Sequence, residues 1–167
     1  MSRLDLRSAF NGGKARAVQF FDGLKRVINP EKIKKIDLSS NAINVNGDDQ
    51  ATEILANFLS SFPCLRKLDL RGNRLTNKVG CILKKSENLE YLNLSGCQMR
   101  QIDVSFLSSL QKLTHLDISN NYLGTKMKTG VLKIKMLPWG LIFTHHRNSL
   151  YHLCLPREQA ERSQNYF

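Results

Sequence analysis

The sequence has little that would mark an enzyme, a membrane protein or a disulfide scaffold. No Cys-x-x-Cys pair occurs: Cys64, Cys81, Cys97 and Cys154 stand far apart, so neither a redox motif nor a clustered zinc site is spelled out. No apolar run approaches the roughly 18 residues needed to span a bilayer, and no membrane association is expected. The opening Met-Ser-Arg-Leu-Asp is charged within three residues, unlike a secretory signal. Reduced thiols in an intracellular protein, cytoplasmic or nuclear, are therefore expected. Acidic residues are the scarcer sign, with 14 Asp+Glu against 25 Lys+Arg and a net charge of +11. A hydrophobic content of 41% nevertheless excludes wholesale disorder, and the length suits one domain or one short repeat array. No nucleophile–base pair, carboxylate dyad or metal quartet can be assembled, so neither catalysis nor a cofactor or metal is expected.

What the sequence does have is repetition. The pattern LxxLxLxxNxL occurs at Ile33–Ile43, Leu65–Leu75, Leu89–Met99 and Leu113–Leu123, the starts being 32, 24 and 24 residues apart. Stepping back 32 residues from Ile36 and Leu38 reaches Leu4 and Leu6, with Asp5 matching Asp37. The chain is thus expected to open inside a repeat, and the first strand to offer an edge on which a second copy could pair. Alternating Leu-x-Leu residues suit a strand with one buried face.

Four copies in register resemble the leucine-rich-repeat family. The resemblance covers about residues 1–125 and implies an α/β solenoid: a curved parallel sheet on the concave face, with helices and 3₁₀ turns on the convex face. The 32-residue units resemble its ribonuclease-inhibitor-like subclass, and the others its shorter 24-residue type. Apolar residues at helical spacing fill the long units: Ala15, Val18, Phe21, Leu24 and Ile28 before Pro30, then Ala51, Ile54, Leu55, Phe58, Leu59 and Phe62 before Pro63. The short units have room for small helical or 3₁₀ segments at Val79–Leu83 and Val104–Leu110, so curvature should be sharper in the first half. A structural ladder is expected from Asn41, Asn73 and Asn121, whose amides can bridge successive turns. Cys97 takes the third rung as a small buried residue.

Outward strand residues fall into columns. One reads Arg3, Lys35, Lys67, Tyr91, His115; the next Asp5, Asp37, Asp69, Asn93, Asp117; a third Arg7, Ser39, Arg71, Ser95, Ser119. A concave surface with stacked charge and aromatic groups suits recognition of another protein. Tyr91 and His115, beside Lys35, Lys67 and Arg71, are the expected anchors, with Asn93 on the same face. Asp37, Asp69 and Asp117 are expected to supply charge selectivity, steering basic partners.

Residues 126–167 break the pattern. The segment from residue 124 carries seven Lys/Arg and two Glu. It is read as a basic C-terminal segment with a degenerate capping repeat at residues 150–160, the rival reading being an unfolded basic extension. The stretch MKTGVLKIKMLPWGLIF before it suits a strand or packing edge. Two alternatives accompany the interaction reading. Long repeats resemble the Ran-GTPase-activating family, which implies GTPase regulation, and a basic tail can bind nucleic acid through phosphate. His145, His146, His152 and Cys154 fit no closed zinc site, and Asn11-Gly12-Gly13 reads as a turn rather than a phosphate cradle.

Overall fold

The computed structural model describes residues 2–9, 14–43, 49–75, 78–100, 109–122 and 142–144. Each apolar alternation supplies one three-residue strand: β1 (Arg3–Asp5), β2 (Lys35–Asp37), β3 (Lys67–Asp69), β4 (Tyr91–Asn93) and β5 (His115–Asp117). With β6 (Ile142–Thr144) they form a parallel sheet in chain order. Leu4, Ile36, Leu68, Leu92 and Leu116 stand side by side, so the register is the one the sequence columns require. Strands this short need support beyond their own length. Leu6, Leu38, Leu70 and Leu94 supply it by donating their N–H to the carbonyls of Asp37, Asp69, Asn93 and Asp117 at 2.7–2.9 Å.

The connections carry α1 (Lys14–Val27), α2 (Asp49–Ser60) and α3 (Val79–Leu83), with α1 against α2 and α2 against α3. Helix length follows unit length, falling from 14 and 12 residues in the long units to 5 in the first short one. The Val104–Leu110 segment lies outside the described residues except at its end. Pro30 opens a 3₁₀ turn of its own (Pro30–Lys32) instead of merely ending α1; Asn29 Oδ1 accepts the Glu31 N–H at 3.1 Å as its cap. Inside, one continuous core runs from Leu4 to Ile118. Between the helices, the Phe21 and Phe58 rings stack at 4.0 Å, and Phe62 meets Phe58 edge-on at 5.0 Å.

The turn after each strand repeats a backbone device. Ser8, Ser40, Gly72, Gly96 and Asn120 occupy equivalent places, and all have φ between 51° and 70°. Glycine adopts this left-handed form without strain, whereas Ser and Asn do so at a cost. Beneath these turns runs the ladder. Asn41 Nδ2 donates to the carbonyls of Leu6 and Leu38, Asn73 Nδ2 to Leu38 and Leu70, and Asn121 Nδ2 to Leu94 and Ile118, all at 2.7–2.9 Å. The amide oxygens of Asn73 and Asn121 accept the N–H of Ile43 and Met99 at 3.0 Å. Cys97 keeps the donor half, Sγ to the Leu70 carbonyl at 3.2 Å, while its own carbonyl accepts the Leu75 N–H. Burial pushes the Cys97 thiol up to about 12, so it remains protonated at neutral pH.

The last described strand falls at the end of the stretch read as a strand or packing edge. The place beside β5 is taken by Ile142–Thr144, with His115, Leu116 and Asp117 opposite Ile142, Phe143 and Thr144. This strand comes from the apolar end of MKTGVLKIKMLPWGLIF, so the sheet draws on residues beyond 125. The LxxLxL pattern passes over Ile-Phe-Thr, because the sequence places corresponding to Leu113 and Ile118 hold Gly140 and His145. The expected repeat at 150–160 lies outside the described residues.

Candidate concave-face interface

Alternation along each strand that buries Leu or Ile turns its neighbours to the other side of the sheet. The first outward column is assembled as the spacing implies: Arg3, Lys35, Lys67, Tyr91 and His115 are successive partners across five strands. Arg3, Lys35, Lys67 and His115 are exposed and Tyr91 is half-buried. The Lys67 ammonium lies 6.0 Å from the Tyr91 ring centroid, and the Tyr91 and His115 rings are 6.0 Å apart at a 35° tilt. An open depression of about 210 Å³ lies over β1–β4, floored by Ile36 and Leu68 and walled by Arg3, Lys35, Asp37, Lys67, Asp69 and Tyr91.

The second column has a structural duty that charge alone did not reveal. Asp5, Asp37, Asp69, Asn93 and Asp117 each use Oδ1 to accept the backbone N–H two residues on, at Arg7, Ser39, Arg71, Ser95 and Ser119, over 2.9–3.2 Å. These are Asx turns that end the strands. They explain why Asn93 can stand among aspartates: the turn needs an acceptor oxygen, and charge is incidental. Asn93 is itself buried, at 6% exposure, so it closes a turn and presents little surface. The interchange of Asp and Asn in one column was the sequence signal for this role. Ser39 and Ser119, read as outward, are buried as well.

In β1–β3 the remaining carboxylate oxygens face arginines. Asp5 Oδ2 lies 3.0 Å from both Arg3 and Arg7, Asp37 Oδ2 lies 3.4 Å from Arg7 and 3.9 Å from Arg3, and Asp69 Oδ2 lies 3.6 Å from Arg71. The Arg7 N–H and guanidinium hold the exposed Asp5 carboxyl below its ordinary range. Asp69 goes the other way: burial raises it first, with Asp37 and Asp117 adding repulsion that the Arg71 N–H and guanidinium only partly offset. A raised folded-state value means that ionised Asp69 opposes folding. Its favourable contribution is complete below about pH 3.8, the ordinary carboxyl value, and fades as pH rises through the folded-state value. Asp69→Asn keeps the acceptor and drops the charge. It is expected to raise the melting temperature at neutral pH, with the gain vanishing on acidification. Asp69→Ala, which orphans the Arg71 N–H, is expected to cost about 1 kcal/mol; thermal melts across pH compare the two.

On the approach to each strand, Arg66 Nη1 meets Glu90 Oε1 at 2.6 Å and Lys112 Nζ meets Asn88 Oδ1 at 2.7 Å, cross-links between units that sequence reading missed. Among the described residues, no three His, Cys, Asp or Glu side chains group as metal ligands, and no helix is long and apolar enough to cross a membrane. His145, His146, His152, Cys154 and Asn11–Gly13 lie outside the described residues, as does the basic segment apart from β6.

Residues 63–78 match a family model described as "Leucine Rich repeat", and residues 87–126 match one described as "Leucine Rich repeats (2 copies)". The chain is a leucine-rich-repeat protein. Among curated proteins, this repeat protein is 27% identical to Toll-like receptor 4 of Pinctada imbricata over 72% of its own length and 12% of the receptor's. It is 35% identical to the leucine-rich repeat serine/threonine-protein kinase 1 of Caenorhabditis elegans, over 54% of the chain and 4% of the kinase. Receptor-like protein 54 of Arabidopsis thaliana is also 35% identical, over 57% and 12% of the respective lengths. The chain thus spans a small fraction of these relatives. Among solved structures, an internalin C2 of Listeria monocytogenes aligns with a TM-score of 0.49 and 23% identity, over 77% of this chain and 59% of that one.

Proposed function

We propose that the protein is a noncatalytic interaction module that holds another protein on its concave face. One observation supports this most directly: three cations and two aromatic rings stand in register across five parallel strands, beside an open depression. A rigid sheet fixes their spacing before a partner arrives, which reduces the ordering cost of association. Tyr91 and His115 are the anchors, flanked by Lys35, Lys67 and Arg71, since aromatic and arginine side chains most often dominate such contacts. Asp37, Asp69 and Asp117 are tied first to their turns and tune the surface charge from there.

Affinity purification of the full chain tests this reading. The double variant Tyr91→Ala/Lys67→Glu is expected to lose its captured partner while keeping the wild-type circular dichroism spectrum. A control reversing the exposed Lys84 and Lys85 on the far side of the unit is expected to keep it. Capture that survives the first variant, or fails with the second, places the binding surface elsewhere.

A further inference from the structure

The outward columns carry both signs, yet the two signs are not equally available. Asp5, Asp37 and Asp69 each spend one oxygen on an Asx turn and the other beside arginine. The side chains of Lys35 and Lys67 make no ion pair or hydrogen bond among the described residues, and the Lys67 ammonium lies 6.0 Å from the Tyr91 ring centroid. The charge left to offer a newcomer over β2 and β3 is therefore positive.

The aromatic end has its own polarity. Thr114 Oγ1 donates its single proton to the Glu90 carbonyl at 2.9 Å, so its 2.9 Å contact with His115 Nδ1 requires the imidazole to be the donor. In the neutral tautomer Nδ1 then carries the proton and Nε2 is the acceptor, and the ring lies 6.0 Å from that of Tyr91. Resting on the concave-face reading above, we propose that the partner presents an extended acidic segment laid across the strands. Its carboxylates meet Lys35 and Lys67, and an aromatic side chain meets Tyr91 and His115. Two strand steps span ~10 Å, which one three-residue turn of an extended polyproline II segment also covers at ~3.1 Å per residue, returning its side chain to the same face. A carboxylate over Lys35 thus puts the residue three positions along over Tyr91, and a carboxylate over Lys67 puts its counterpart over His115. The recognised pattern is acid-x-x-aromatic. A nucleic acid strand suits this surface less well, because its phosphate charge is unbroken while the column passes from cations to Tyr91 and His115 beyond β3, whereas a peptide places charge only where the lysines are.

Selection of random displayed peptides on the immobilised full chain reads this out. Enriched sequences are expected to carry an Asp or Glu three positions from an aromatic residue. Lys35→Glu/Lys67→Glu should weaken their binding by roughly tenfold or more, and replacing the acids by Lys should restore it on that variant. Lys35→Met/Lys67→Met, which removes charge without adding repulsion, should give an intermediate loss. Enrichment of basic or wholly apolar peptides that Tyr91→Ala abolishes overturns the acidic assignment while leaving the face reading intact. Absence of enrichment also overturns the acidic assignment. Peptides insensitive to Lys35, Lys67 and Tyr91 overturn both. A single-stranded oligonucleotide that binds as tightly as the peptides and needs the same two lysines also overturns it.

Discussion

Asn73→Ala is expected to destabilise the protein by about 3–5 kcal/mol in urea denaturation. The side chain is 1% exposed and serves three backbone groups at once: it donates to the carbonyls of Leu38 and Leu70, and accepts the N–H of Ile43. Alanine orphans the Ile43 N–H in a dry interior, at roughly 1–3 kcal/mol, and removes one of two donors from each carbonyl, since Leu38 keeps Asn41 and Leu70 keeps Cys97, at roughly 0.5–1.5 kcal/mol apiece. Because these groups belong to adjacent units, the loss weakens the interface between units as well as one turn. Asn73→Cys is the informative comparison. Cys97 already fills a rung with one Sγ–carbonyl contact and a backbone carbonyl in place of the amide oxygen, so Cys at 73 should recover part of the loss. A loss under about 1 kcal/mol for Asn73→Ala would mean that water replaces the amide, and the ladder would then contribute little.

Phe58→Ala should cost a comparable amount, about 3–5 kcal/mol, the usual range for emptying a buried aromatic site. Phe58 is 1% exposed and is gripped by Phe21 from α1 and by Phe62, two residues beyond α2. Its removal takes away the stack that joins the two long helices. Hydrogen exchange should therefore quicken in α1 and α2 well before it does in β4 and β5, since each unit leans chiefly on its neighbours. Phe58→Leu, which refills most of the space, should recover a large part of the loss. Uniform acceleration along the whole chain would show that the array unfolds as one cooperative block.

Much of the architecture was legible because it rests on period. Leu68 and Leu92 declare their strands by alternation, and Phe58 and Leu59 declare a helix by their spacing from Ala51 and Leu55. The site was legible to the extent that it shares this period: once the strands are in register, the column from Arg3 to His115 must follow. The function of the second column was not legible. Asp37 and Asp69 read as free charge, and only the folded turn shows their oxygens held by Ser39 and Arg71. Asn93 looked like surface and is buried for the same reason.

The sequence by itself determined the repeat register, the core positions, the two long helices and the first outward column, because steric alternation acts within each unit. Tertiary structure alone decided which charges remain available, which ring nitrogen of His115 meets Thr114, and that Ile142–Thr144 extends the sheet. These depend on distances between residues far apart in the chain, and no local pattern encodes them.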